Sequence, residues 1–279
     1  PQSGHTQFLS LIKGLALYGD GYENRPQALQ LLNCISFQGK GHPWDVAFQL
    51  LVKLGIWRQD EELSILRYHI PVRFSEEALQ ASNNLPAFNP DAADCGDLEN
   101  LTGLDTLTID DVDTAEIDDA LSLSKQDGKL LIGVHIADAG YCVSPRSILD
   151  KSALARGTTV YLPSGNFPML PPVISQERAS LVADQLRPAL SFFVHVDEAG
   201  QLHPERITRS IIRVTQRLSY DEVDAILKDE SPQPYRATLQ QLASLAQKRN
   251  AQRVAQGAII INGDEVKVKV IDGAITTTL

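Results

Sequence analysis

A chain of 279 residues, 43% hydrophobic and 22% charged, has an ordinary globular composition and length enough for two domains. No run approaches the roughly 18 apolar residues of a membrane span, and the opening PQSGHTQFLSLIKGL lacks both an initiator Met and a signal-peptide layout, which suits a trimmed chain. The net charge of −10 argues against indiscriminate nucleic-acid binding, and three widely spaced cysteines (Cys34, Cys95, Cys142) favour neither a disulfide framework nor a zinc site, which fits a reducing, cytoplasmic compartment.

Residues 7–55 read as helices. QFLSLIKGLALYG places Phe8, Leu11, Ile12 and Leu15 on one helical face and stops at Gly19. RPQALQLLNCI sets Pro26 in a first turn and turns Leu29, Leu32 and Ile35 inward. HPWDVAFQLLVKLG repeats the pattern, with Pro43 early, Trp44, Ala47, Leu50, Leu51 and Leu54 inward, and Gly55 closing. Such short amphipathic helices with short connections resemble a helical, winged-helix-like module over residues 1–82. A nucleic-acid role and a plain packing role are both open for it. NNLPAFNPDAADCGDLEN reads as part of a linker, residues 83–104.

From 105 to 279 the pattern turns to strands. TLTI is a short β run, ALSLS alternates, KQDGK signals a turn, and LLIGVHIAD is a nearly continuous apolar strand. His135 and Asp138 in it read as structural. SFFVHVDEAGQL is a strand running into a turn. ERITRSIIRVTQ reads as one strand carrying Arg209, Arg213 and Arg217 on one face, either a solvated edge or a phosphate-tracking stripe. Ser219 and Glu222 form a capping box, a long helix ends at Gly257, and AIIINGDEVKVKVIDG reads as a hairpin turning at Asn262-Gly263. The expected class is α+β: a helical N-terminal module, then a mixed α/β domain.

The informative stretch is TIDDVDTAEIDDAL. It sets Asp110, Asp111, Asp113, Glu116, Asp118 and Asp119 within ten positions, interleaved with Ile109, Ile117, Ala120 and Leu121. Like charges so close repel unless something positive sits among them. A tight loop between two strands would bring Asp110, Glu116, Asp118 and Asp119 towards one point, and several hard oxygen ligands suit Mg²⁺ or Mn²⁺. A solvated acidic loop is the competing reading. An EF-hand fails, because counting from Asp111 the sixth position is Glu116 where Gly is needed and the twelfth is Ser122 where Glu is needed. An aspartic-protease loop fails too, because Asp113-Thr114-Ala115 lacks the glycine and has no second copy.

This motif resembles the signature of the ribonuclease II / ribonuclease R family, the RNB-domain exoribonucleases. The likeness continues in VHIADAGYCVSPRSILDKSALARGTTVYLPSGNFPMLP, in SLVADQLRPALSFFVHVDEAGQL and in RLSYDEV, and spans roughly Asp105 to Leu279. It implies a Mg²⁺-dependent, hydrolytic 3′-to-5′ exoribonuclease that degrades single-stranded RNA to nucleoside 5′-monophosphates. Asp110, Glu116, Asp118 and Asp119 would hold the metal, with Asp118 the one whose loss abolishes cleavage; Glu116 stands where the family usually has Asp. Tyr161 would stack on a nucleotide, Tyr220 would contact RNA, and Arg156 would meet phosphate or only cover the surface of a helix. The family's later active-site groups, an arginine among them, and its C-terminal RNA-binding barrel would lie beyond Leu279. The resemblance leaves open an RNA-binding regulator without turnover, and the acidic loop alone leaves open a protein-docking surface. A monomer without membrane attachment is expected.

Overall fold

A computed structural model describes residues 2–35, 37–92, 95–126, 129–197, 201–229, 233–261, 267–271 and 274–278. It divides into two compact units, one of Pro1–Arg73, Val160–Phe167 and Glu265–Leu279, the other of Phe74–Thr159 and Pro168–Asp264.

The first unit is built on helices α1 (Gln2–Tyr18), α2 (Arg25–Asn33), α3 (Pro43–Lys53) and the short α4 (Leu63–Arg67). The expected faces do turn inward: Ile12, Leu15, Leu32, Ala47, Leu50 and Leu51 are buried, with Phe8, Leu11, Leu29 and Ile35 packed against them. Trp44, expected inward, is only partly buried and stacks on His42 (4.5 Å between ring centroids), and Leu54 departs further. It caps the end of α3 and is 51% exposed, because the helix stops before its side chain can swing onto the core. His42 caps α3, its backbone N–H donating to Asp45 Oδ2 at 2.8 Å.

The second unit opens with α5 (Glu76–Asn83), capped by Ser75. Its sheet contains β1 (Glu99–Asn100), β2 (Thr106–Asp110), β3 (Asp119–Gln126) and β4 (Lys129–Ala137). Helices α6 (Ala139–Cys142) and α7 (Ile148–Arg156) follow. A hairpin of β5 (Val160–Leu162) and β6 (Gly165–Phe167) belongs to the first unit. LPSGNFPMLP, Pro-rich in sequence, is thus partly a turn of paired strands. The second unit resumes with a π-helical turn at Val173–Arg178, β7 (Leu186–Val196), β8 (Leu202–Arg213), β9 (Gln216–Ser219), α8 (Tyr220–Lys228) and α9 (Arg236–Ala255). Gly257, just past α9, takes the left-handed conformation (φ 96°) that an L side chain resists. In the first unit, β10 (Lys267–Ile271) pairs antiparallel with β11 (Ala274–Thr278). The expected turns at Asp127-Gly128 and Asn262-Gly263 lie outside the described residues.

The seven-stranded sheet runs β1-β8-β7-β4-β3-β2-β9. Neighbours from β8 to β2 pair antiparallel, while β1/β8 and β2/β9 pair parallel. β8 and β9 sit near opposite edges although only Val214 and Thr215 separate them, so the sheet must curl on itself. The single strand expected over ERITRSIIRVTQ is therefore two. Thr215 N–H donates to Thr106 O (2.8 Å) and passes the chain onto β2. That break removes the expected three-arginine face: Arg209 and Arg213 stay on β8, and Arg217 lies across the sheet on β9.

A polar seam crosses the sheet interior. Ser210 Oγ donates to Ala189 O at 3.1 Å. It therefore accepts from Ser191 Oγ at 2.6 Å, which in turn accepts from His135 Nδ1–H at 2.6 Å. His135 Nε2 is then bare and accepts from Ser122 Oγ at 2.9 Å. His135 is fully buried and its pKa is lowered to about 4 by desolvation. Gly133 makes this possible, since a Cβ there would stand 2.3 Å from Ser122 Oγ and 2.7 Å from His135 Nε2. The structural reading of His135 holds.

The segment before β1 is packed. Cys95 and Leu98 are buried against Ile211, with Phe88, Ala92, Tyr141 and Leu186 around them. No helix among the described residues is long and apolar enough to cross a membrane.

Candidate active site

The acidic stretch is the connection between two neighbouring strands. Asp110 ends β2 and Asp119 begins β3. Between them the chain is pinned from several sides. Ile117 is 2% exposed and belongs to the main core with Leu181 and Ile212. Its N–H donates to Ser180 Oγ (3.0 Å), its carbonyl accepts from Leu181 N–H (2.9 Å), and Ser180 Oγ also donates to Ala115 O (3.3 Å). On the other flank Arg217 donates from Nη2 to Thr114 O at 2.7 Å and reaches Val112 O at 3.5 Å. Asp111 Oδ1 accepts from Asp113 N–H (3.2 Å), closing the turn. The carbonyl of Asp118 accepts from Ala137 N–H (2.8 Å), which fixes the entry into β3.

The carboxylates share one electrostatic environment. Burial first, then the charge of Asp119, raises the Asp110 pKa, and Arg217 opposes the rise. Thr108, two residues back on the same strand face, lies near enough to favour the Asp110 anion. It makes no well-formed hydrogen bond, and both Thr108 Oγ1 and Asp110 Oδ2 are buried without a partner. Burial, then Glu116, Asp119 and Asp110 in that order, raises the Asp118 pKa. Asp118 is exposed, yet enough protein surrounds its carboxyl to strip part of its water. Ionised carboxylates held this way are short of positive charge.

The four acids nevertheless do not meet at one point. Among the described residues, no group of three or more His, Cys, Asp or Glu side chains converges as a metal-ion cage. Mutual repulsion opposes closer approach, and the pinned backbone limits it. Mg²⁺ tolerates such a site, since it keeps several waters and commonly takes one or two carboxylates together with substrate phosphates. The donor chemistry fits a hard divalent cation, and the orphaned Asp110 Oδ2 supplies an oxygen with no competing partner.

The remaining candidates divide. Tyr220 opens α8 directly after Ser219, the register partner of Asp110, and is 61% exposed. The expected capping box is formed: Glu222 N–H donates to Ser219 Oγ (3.2 Å) and Ser219 N–H to Glu222 Oε2 (2.7 Å). Arg156 ends α7, stacks on Phe74 (3.9 Å to the ring centroid) and donates from Nε to Pro168 O at 2.8 Å. Tyr161 is the middle residue of β5 in the other unit, 65% exposed. Two functional supports were not assigned from sequence, the Ser180 and Arg217 clamps on the loop. A serine between Ala179 and Leu181 gives no sign of its partner, and Arg217 read as part of the stripe.

The RNB domain family matches residues 98–278. An uncharacterized ribonuclease of Synechocystis sp. is 36% identical over 89% of the chain, and the match covers 36% of that relative. The chloroplastic/mitochondrial ribonuclease II of Arabidopsis thaliana is 32% identical over 81% of the chain and 28% of its own length. The chain thus spans about a third of these relatives. An active-site mutant of the Dss1 exoribonuclease from Candida glabrata superposes with a TM-score of 0.75 at 20% identity, over 99% of this chain and 40% of that one. Mycoplasma genitalium RNase R, in complex with ribose-methylated single-stranded RNA, gives 0.69 at 24% identity, over 77% of this chain and 35% of that one. These two likenesses show the fold.

Proposed function

Because the chain belongs to the RNB domain family, we propose that its acidic loop is the metal-holding element of a metal-dependent 3′-to-5′ exoribonuclease that hydrolyses single-stranded RNA to nucleoside 5′-monophosphates. The observation that carries the proposal is the pinned loop, which holds Asp110 and Asp118 partly desolvated beside Glu116 and Asp119. Names of relatives such as ribonuclease R of Thermotoga maritima, 34% identical over 71% of the chain and 29% of its own length, support the class of reaction.

In this reading Asp110, Glu116, Asp118 and Asp119 hold the cation, Mg²⁺ or Mn²⁺, directly or through water. A bound divalent cation would activate the attacking water and neutralise charge on the scissile phosphate. The chain's own residues set the geometry. Ile117 and Ser180 anchor the loop from below, and Arg217 fixes its outer turn while partly offsetting the charge of Asp110. Tyr220, beside the end of β2, offers an exposed ring for a nucleotide. Tyr161 is proposed as a stacking residue and Arg156 as a weaker phosphate contact. We place the protein in a reducing cytoplasm, as a monomer.

A second reading is RNA binding without turnover. It is favoured by one observation: yeast Ssd1, a pseudonuclease, shares the fold with a TM-score of 0.52 at 23% identity, over 61% of this chain and 21% of that one. A 5′-labelled single-stranded RNA incubated with the complete protein, with Mg²⁺ or with EDTA, separates the two. A Mg²⁺-dependent ladder shrinking from the 3′ end supports the nuclease. Intact RNA that shifts on a native gel supports the binder and refutes the nuclease.

A further inference from the structure

In the second unit a cleft of about 650 Å³ is lined by Phe88, Gln176, Glu177, Arg178, Gln185 and Arg187, among others, two guanidiniums to one carboxylate. That volume lies in the range of small-ligand sites. Its charge is unbalanced. Arg187 is fixed by donating Nε to Ser180 O (3.0 Å), Nη1 to Leu186 O (3.0 Å) and Nη2 to Glu177 O (2.7 Å), and it also reaches the side-chain oxygen of Gln185. None of these acceptors is a carboxylate. Arg178 Nε is buried with no hydrogen-bond partner. Neither arginine forms an ion pair among the described residues. Burial lowers the Arg187 pKa and the neighbouring Arg178 charge adds to that, with the Cys142 thiol opposing. Two guanidiniums held near each other, one with an orphaned donor, are costly unless an anion joins them.

The local backbone points the same way. Gln176 and Arg178 sit on the π-helical turn, where Ala179 N–H donates to Ile174 O at 2.8 Å. Such turns are rare and frequent at functional sites. Phe88 forms another wall, its ring held edge-on to Tyr141 at 5.3 Å between centroids.

We propose that this cleft binds a phosphate group, either inorganic phosphate or the phosphate of a mononucleotide. Planar guanidinium forks match phosphate oxygens bidentately, the two glutamine amides add neutral donors, and Phe88 offers a face to a base. The site is separate from the acidic loop and stands whether or not the chain cleaves RNA.

The test uses Mg²⁺-free buffer at constant ionic strength, with thermal unfolding and calorimetric titration of inorganic phosphate and of adenosine 5′-monophosphate. Phosphate is expected to raise the unfolding midpoint saturably where chloride does not. Arg178→Gln should weaken binding at least about tenfold. Arg178→Met should abolish the phosphate response while leaving the ligand-free midpoint equal or higher, because it removes a buried guanidinium nitrogen that has no hydrogen-bond partner. Tighter binding of the nucleotide than of phosphate identifies a mononucleotide as the occupant, and equal binding identifies free phosphate. No saturable response in the wild type, or the same response in the variants, overturns the proposal. So does a ligand-free midpoint that falls in Arg178→Met, since Arg178 would then already have its partner.

Discussion

His135 gives the sharpest quantitative test of the sheet that supports the acidic loop. It is buried, neutral and wired between Ser122 and Ser191, with a pKa of about 4 against an ordinary value of 6.5. A histidine whose folded pKa is depressed contributes its full stability above about pH 6.5, where it is neutral in both states. That contribution is lost as pH falls from 6.5 towards 4, because only the unfolded chain takes up the proton freely. The full difference of 2.5 units corresponds to about 3 kcal/mol, and at about pH 5 roughly 2 kcal/mol of it is gone. Urea unfolding near pH 7.5 and near pH 5 would be compared for the wild type and His135→Gln, which cannot titrate. Asp110 and Asp118 have raised pKa values, so they push the other way on acidification. They are common to both proteins and cancel. The wild type should lose about 2 kcal/mol more than the variant between the two conditions. Equal losses would mean that His135 is not the buried neutral base of the seam.

Asp118→Asn in the complete protein should cut RNA hydrolysis by about a hundredfold or more, read from single-turnover gels, while RNA retention on a native gel persists. Mg²⁺ should stabilise the wild type by about 2.7 kcal/mol at a hundred times Kd, read as a higher thermal midpoint, and leave the midpoint of an Asp110→Asn, Asp118→Asn double variant unmoved. Ser180→Ala strips the Ile117 N–H of its buried acceptor and should cost about 1–3 kcal/mol in chemical denaturation. Arg217→Gln removes the cation that holds the Asp110 pKa down, so carboxyl NMR titration should find Asp110 protonating at higher pH than in the wild type.

The helices and most strands were legible because their signals are local. Pro43, Ser219 with Glu222, and the alternation through ALSLS each report on a few neighbouring residues, and the structure keeps them. The arginine stripe was misread because the break between β8 and β9 has no local mark. Val214 and Thr215 are good strand formers, and non-local bonds between Thr215 and Thr106 turn the chain onto another strand. The loop clamps were hidden for the same reason. Ser180 lies 63 positions from Ile117, and Arg217 lies 103 from Thr114. The acidic loop itself was visible because its charges are adjacent in sequence, and the buried Ile117 among them was visible as an apolar residue out of place.

Whether that loop differs from an ordinary acidic surface turn depends on which force is larger. A solvated loop relieves like-charge repulsion by moving apart, and each close pair there costs only about 1 kcal/mol in water. Burial of Ile117 contributes roughly 1.5–3 kcal/mol. The bonds from Ile117 to Ser180, from Leu181 to Ile117, from Ala137 to Asp118 and from Arg217 to Thr114 add about 0.5–1.5 kcal/mol each. The anchors therefore outweigh the repulsion, and the carboxylates stay partly desolvated and close enough to raise one another's pKa. A solvated turn would need none of those anchors. A loop that must present several negative charges to a cation and a phosphate without rearranging needs all of them, because only a fixed site adds no reorganisation cost at the moment of reaction.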